Sequence, residues 1–267
     1  MLDDKILKIL NKNFLDTSIS FFELYKDEYK ESRTSPIVYW VMSKFNWKPF
    51  WYQTVMLHSL IKNDHIAWRI GRQSGKSTCM ALGSLYMALA RPITQEVEET
   101  SYNKRLNIIE KKKVKKNCGA KVFIGSSAQS KADKIFDTIL DFLYLNDETC
   151  KALENKLITY KRGPYPTVKF PNGAFITCRG PGENGDSCRG DTFDCLFIDE
   201  ADYMPPMFWA SVQATTVNTP RSQILLSSTI KGIRSYFYDY CKRHRDINFP
   251  TYVNPNYTIE KDDENKV

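Results

Sequence analysis

The sequence predicts an α/β fold, a mainly parallel sheet covered by helices on both faces. Three observations lead there. The short apolar runs HIAWRI, VFIG, CLFID and QILLSST are spread along the chain. Stretches with helical spacing of apolar residues follow them, the alternation that builds parallel sheets. CLFID is also apolar throughout until its final acid, as strands buried on both faces are. The 267 residues are enough for one such domain with a small accessory part.

The elements can be justified in order. Ile6, Leu7, Leu10 and Phe14, then Phe21, Phe22, Leu24 and Tyr25, recur at helical spacing, so residues 1–46 form a helical segment. Residues 65–70 are a strand, and Gly75 to Ala90 a helix with Leu82, Leu85, Tyr86 and Leu89 on its apolar face. Pro92 ends that helix. Residues 92–119 are a charged insertion with a lysine-rich run at 111–116. Val122 to Gly125 is a strand, and the hydroxyl-rich turn after it can cap the next helix. Pro171-Asn172-Gly173 turns a hairpin within TVKFPNGAFITC. A helix starts near Pro205-Pro206, where proline suits a first turn. A helix rich in tyrosine and basic residues follows Gly232, and the polar tail NPNYTIEKDDENKV reads as a linker or frayed end. The chain therefore divides into residues 1–46, a core at 47–230, and 231–267 as a lid subdomain with the start of a linker.

Composition narrows the function. A net charge of +7 permits a polyanionic partner without requiring one. The seven cysteines form no C-x-x-C pair and have no close histidine, which argues against structural zinc and fits a reducing cytosol. No apolar run reaches the roughly 18 residues of a membrane span. The acids in MLDDKILKIL argue against a signal peptide.

Chemistry concentrates at two places. After HIAWRI come Gly71-Arg72-Gln73-Ser74-Gly75-Lys76-Ser77-Thr78. A phosphate cradle needs glycine for close approach, converging N–H groups at a helix start, a cation and a metal-holding hydroxyl. Gly75, the first helical turn, Lys76 and Ser77 supply them. The usual first glycine is displaced: Ile70 holds its place, and the glycine comes one residue late at Gly71. Downstream, CLFID delivers Asp199 and Glu200. At the end of a buried strand, Asp199 suits Mg²⁺ held through water, and Glu200 suits a base that orients and deprotonates the attacking water.

From Lys48 to at least Gly232 the chain resembles the ATPase domain of the large terminase of tailed bacteriophages. The loop fits that family's variant [GS]-R-x-x-G-K-[ST]. Other matches follow in order: Pro49 to Gln53, Phe123 to Gln129, the Phe170 to Ile176 hairpin, Arg189-Gly190, and Ser227-Ser228-Thr229 with Lys231-Gly232. The resemblance implies a P-loop NTPase of the additional-strand, catalytic-glutamate type, binding ATP and Mg²⁺. It implies that Gln53 reads the adenine edge, that Arg72 in cis or Arg189 in trans neutralises the γ-phosphate, and that Ser227, Ser228 and Thr229 couple its loss to the next helix. It implies double-stranded DNA, a ring of copies on a portal and a small terminase subunit as partners, in the host cytoplasm. The family's nuclease domain would lie beyond this chain. Asp262, Asp263 and Glu264 read as solvated, and no nuclease activity is expected here.

Other readings stand beside this one. Asp199-Glu200-Ala201-Asp202 spells the acidic motif of DEAD-box helicases. A nucleotide-gated module that binds without turnover would also use the loop. The lysine run is either a DNA contact or a solvated face, and Arg243, His244 and Arg245 either meet DNA or a neighbouring subunit.

Overall fold

A computed structural model of the chain describes residues 22–91, 93–103, 108–182, 192–215, 222–229 and 235–255. In chain order the helices are α1 (Lys26–Ser32), α2 (Pro36–Phe45), α3 (Trp51–Lys62), α4 (Lys76–Leu89), α5 (Gln129–Leu145), α6 (Asp147–Glu154), α7 (Pro206–Ala214) and α8 (Tyr236–Arg243). The strands are β1 (His65–Ile70), β2 (Ile93–Asn103), β3 (Ile108–Cys118), β4 (Lys121–Gly125), β5 (Thr159–Lys161), β6 (Thr167–Lys169), β7 (Phe175–Arg179), β8 (Cys195–Asp199), β9 (Gln223–Ser228) and β10 (Arg245–Phe249).

An eight-stranded sheet runs in the order β10-β1-β9-β8-β4-β7-β6-β5. From β10 to β7 every pairing is parallel; β6 and β5 close one edge antiparallel. The fold is thus the α/β class read from the sequence. One strand, β9, stands between β1, which carries the loop, and β8, which carries the acids. This is the additional strand of the expected class.

Period-2 alternation sorts the strands' side chains onto two faces. Trp68, Ile124, Cys195, Phe197 and Leu225 join a core with α3, α4 and α5. Ala67, Phe123, Leu196, Ile198 and Leu226 join a second core with Phe208 and Trp209 of α7 and Phe237 and Tyr240 of α8. By the same alternation Asp199 shares the face of Cys195 and Phe197, toward α4.

The N-terminal helices are fastened to this core. Ser32 Oγ lies 2.9 Å from Thr54 Oγ1, and the Tyr25 ring packs 4.6 Å from Phe249. Phe45 packs 5.4 Å from Phe142 of α5. The described part of 231–267, expected as a lid, is laid onto the sheet: α8 covers one face, and β10 pairs with β1 as its edge strand. The sequence reading had no strand at 245–249. Arg245, expected to meet DNA or a neighbour, opens that strand and pairs with Glu28. The charged insertion is a two-stranded antiparallel ladder, β2 with β3, which sets Glu96 opposite Lys115, Glu98 opposite Lys113 and Glu99 opposite Lys112. Residues 1–21 and 256–267, with the sequence motifs they carry, lie outside the described residues.

Beyond β10 the chain turns across the loop between β1 and α4. Gly71 N donates to Phe249 O at 2.8 Å. A Cβ on Gly71 would lie 2.3 Å from the backbone nitrogen of Thr251, so only glycine fits. This gives the late glycine a packing reason. Gly71→Ala should therefore cost about 1–3 kcal/mol of stability through overpacking, read as a lower midpoint in thermal or urea unfolding. An unchanged midpoint would mean that Thr251 yields freely.

Candidate functional site

The loop between β1 and α4 is shaped by left-handed backbone. Gly75 has φ +77° and Gln73 φ +58°. A Cβ on Gly75 would meet Gln53 Nε2 at 2.5 Å. Gln53 is buried, and its amide is bonded at both ends to protein. Its Oε1 accepts from Phe50 N at 2.9 Å, capping α3, and its Nε2 donates to Ser74 O at 3.3 Å. The residue expected to read adenine thus sits under the loop, between a helix cap and the loop backbone. Ser74 is buried and donates to Arg72 O at 3.3 Å. Gln73 O accepts from Asn254 Nδ2 at 2.8 Å.

Lys76 and Ser77 open α4, followed by Thr78. Lys76 Nζ donates to Ile70 O at 3.0 Å and Gly71 O at 2.9 Å, leaving one of its three donors for another acceptor. Burial pulls its pKa below the ordinary lysine value, against the opposing pull of Asp199 and Glu200. Ser77 Oγ reaches Asp199 Oδ2 at 3.4 Å. Asp199 is 6% exposed, and desolvation raises its pKa despite nearby Lys76.

Glu200 lies one residue past β8 in left-handed conformation, φ +53°. That turn takes its side chain off the strand's alternation. Its Oε2 accepts from Ser127 Oγ at 2.7 Å and from Lys131 Nζ. Partial burial pulls its pKa up, but Lys131 and Ser127 outweigh it, and the net shift is down. The turn expected to cap α5 is used differently. The N-cap is Ala128, with no side-chain bond, while the Ser127 hydroxyl goes to Glu200.

The end of β9 connects onward. Ser228 Oγ donates to Thr229 O at 2.9 Å and accepts from Asp202 N at 3.3 Å. Asp202 Oδ1 accepts from Ser235 Oγ, which also caps α8 by accepting from Tyr238 N at 3.2 Å. A hydrogen-bonded path therefore runs from the β9 end, through the turn after Glu200, to the start of α8.

These groups meet in a cleft of about 270 Å³ lined by Arg72, Gln73, Lys76, Ser77, Lys131, Asp199, Glu200, Tyr203 and Thr229. Gln53 is not among its lining residues. Arg189 lies outside the described residues. The sequence assigns no role to Ser127, Lys131 or Asp202, although Ser127 falls in the Phe123–Gln129 match and Asp202 in the acidic motif. The signal for Lys131 is its i, i+4 spacing from Ser127.

Three buried atoms test the fit of a metal: Asp199 Oδ1, Ser126 Oγ and Ser227 Oγ have no hydrogen-bond partner. They lie at the ends of β8, β4 and β9, three adjacent strands, and Asp199 is in register with Ser227. Buried polar atoms are rarely left unpaired. A carboxylate, a nearby serine and outer hydroxyls suit a hydrated hard cation such as Mg²⁺, which keeps much of its water.

The profile of the large terminase subunit, T4likevirus-type, N-terminal domain matches residues 69–267. The chain belongs to the large-terminase family. Its fold is similar to the large terminase ATPase domain of Thermus phage P74-26, with TM-score 0.52, 20% identity, and 74% of this chain and 71% of that one covered. It is similar to the HK97 bacteriophage large terminase at TM-score 0.52 and 12% identity, covering 81% of this chain and 42% of that one. It is also similar to the large terminase of a thermophilic bacteriophage in complex with ADP, at TM-score 0.50 and 12% identity, covering 78% and 47%. The chain thus spans less than half the length of the last two. No curated protein matches it. Among the described residues no helix is long and apolar enough to cross a membrane.

If this terminase domain holds a cation at Asp199 and Ser77, Mg²⁺ should raise its melting temperature in the presence of ADP beyond ADP alone, by linkage. Asp199→Asn should erase that increment while keeping the shift from ADP. An increment that survives would place the cation elsewhere.

Proposed function

We propose that this terminase domain hydrolyses ATP in the cleft and spends the cycle on driving double-stranded DNA into a procapsid. The observation that carries the reading is the meeting of Lys76 and Ser77, from one end of the sequence, with Asp199 and Glu200, from a strand two places away. The relative solved with ADP supports the choice of nucleotide.

Triphosphate oxygens would meet the backbone N–H groups from Gly75 to Thr78, where a helix start favours anions. Lys76 would turn its remaining donor to the outer phosphates. Ser77 and Asp199 would hold Mg²⁺. A bound Mg²⁺ neutralises charge on the phosphate oxygens. Glu200, ionised and anchored through Oε2, takes the proton from water as the water oxygen bonds to the γ-phosphorus. The bond from that phosphorus to the bridging oxygen breaks, and ADP leaves with the electron pair. Arg72, exposed at the cleft, is the candidate for charge neutralisation in cis, and Arg189 in trans. The path Ser228–Asp202–Ser235 gives the β9 hydroxyls a mechanical route to α8, with Ser227 and Thr229 flanking its start. A ring of copies on a portal, a small subunit and DNA complete the reading, in the host cytoplasm. The net charge of +7 permits the DNA partner without requiring it.

Glu200→Gln should lower kcat by about a hundredfold or more while ATP still binds, measured by steady-state turnover and nucleotide titration. Turnover near the wild-type rate would remove Glu200 from the base role. The arginine is tested separately. If Arg189 serves a neighbour's cleft, wild-type turnover per subunit rises with protein concentration, and Arg189→Ala flattens that rise without weakening nucleotide binding. A rate independent of concentration in both proteins would leave Arg72 as the finger.

A further inference from the structure

Lys131 is used by no motif in the sequence reading. It stands in the first turn of α5, about half exposed, and it lines the phosphate cleft across from the loop. Its ammonium donates to Glu200 Oε2, and also to Ser127 Oγ at 3.2 Å. Ser127 Oγ in turn donates to the same oxygen of Glu200 at 2.7 Å. The three groups close a small ring around one carboxylate oxygen. Their spacing is a consequence of the helix start: Ser127 and Lys131 are four residues apart and share one side of the α5 N-terminus.

Three features set this apart from an ordinary surface ion pair. Glu200 has a left-handed backbone, so its side chain is aimed by the turn and cannot follow the strand pattern. Both bonds fall on Oε2, which leaves Oε1 for another partner. The N-cap of α5 is Ala128, which makes no side-chain bond, while the hydroxyl just before it, Ser127, is given to Glu200.

We propose that Lys131, with Ser127, is a positioning residue for hydrolysis: the pair pins Glu200 by Oε2 and turns Oε1 toward the water that attacks the γ-phosphate. This rests on the ATPase reading above and adds a residue that the loop and the acid pair do not include. Lys131 acts on the angle and mobility of the base. It is not required for holding the nucleotide, which Lys76 and the loop do. Loss of orientation in a base costs rate with little cost in binding.

The test is steady-state ATP turnover by the whole chain and by Lys131→Ala, Lys131→Arg, Ser127→Ala and Glu200→Gln, with nucleotide affinity measured by titration. Lys131→Ala should lose about tenfold in kcat with KM and affinity changed less than about twofold. Lys131→Arg should recover most of the loss, because a guanidinium can reach the same oxygen. Ser127→Ala should lose less than Lys131→Ala. A kcat for Lys131→Ala at or above wild type would overturn the proposal, as would a loss confined to KM, or an Arg variant no better than Ala. If the wild-type chain turns over no ATP, or Glu200→Gln turns over as fast as wild type, the ATPase reading itself fails and this inference goes with it. Lys131→Ala at the wild-type rate beside an inactive Glu200→Gln would sink the inference alone.

Discussion

One carboxylate out of water organises this molecule. Asp199 ends a strand that is buried on both faces, and its Oδ1 has no hydrogen-bond partner. An anion in such a place costs several kcal/mol unless cations and donors surround it. The rest of the site supplies them in part: Ser77 at one oxygen, and Lys76 as a partly desolvated neighbouring charge. No donor reaches Oδ1, and this shortage is what a hydrated metal ion would relieve. The next residue lives under opposite rules. Glu200 leaves the strand by a left-handed turn, and two donors hold it ionised. Two neighbouring acids are thus pushed apart in pKa, the pattern by which one site assigns two roles to one functional group.

The two faces of the sheet divide the labour. The face toward α4 carries the loop helix and the Asp199 side chain. The opposite face carries α7 and α8, packed on Leu196, Ile198 and Leu226. Strand ends are the place where the two sides can communicate, since a sheet interior has no spare groups. Asp202 is the crossing point. Its backbone meets Ser228 and its carboxylate meets the cap of α8. Polar atoms at these ends are under-satisfied at Ser126, Asp199 and Ser227. Such groups reduce stability where they stand, and they persist where function needs them.

Sequence made the parallel strands legible because each is a short apolar run with its chemistry at its end. HIAWRI, CLFID and QILLSS fall within a residue of their expected bounds, and Pro171-Asn172-Gly173 turns the hairpin read for it. The loop was legible because its residues are contiguous. Other parts depended on distant partners and left little local trace. Arg245–Phe249 reads as a polar stretch after a helix, and it becomes a strand only because β1, about 180 residues earlier, has an open edge. The β2–β3 ladder lies in a charged stretch with no apolar alternation to announce it, and its pairing shows only in the register. The resemblance gives Gln53 the adenine edge, and only helix geometry shows that its amide caps α3. Lys131 reads as one of many surface lysines until the turn after β8 aims Glu200 at it.

The path of the chain past β10 has a mechanical meaning. From Phe249 on, the backbone is stitched to the β1–α4 loop, by Phe249 at Gly71 and by Asn254 at Gln73. Strands β10 and β1 run parallel and finish side by side at that loop. Tension applied at residue 255 would therefore arrive first at Gly71 and Gln73, then spread along the β10–β1 ladder as shear, shared among its hydrogen bonds. The same linkage works in reverse. A phosphate that reshapes the loop would shift the anchor from which the chain departs. Load on the chain and a ligand in the loop would thus meet at the same two residues, Gly71 and Gln73.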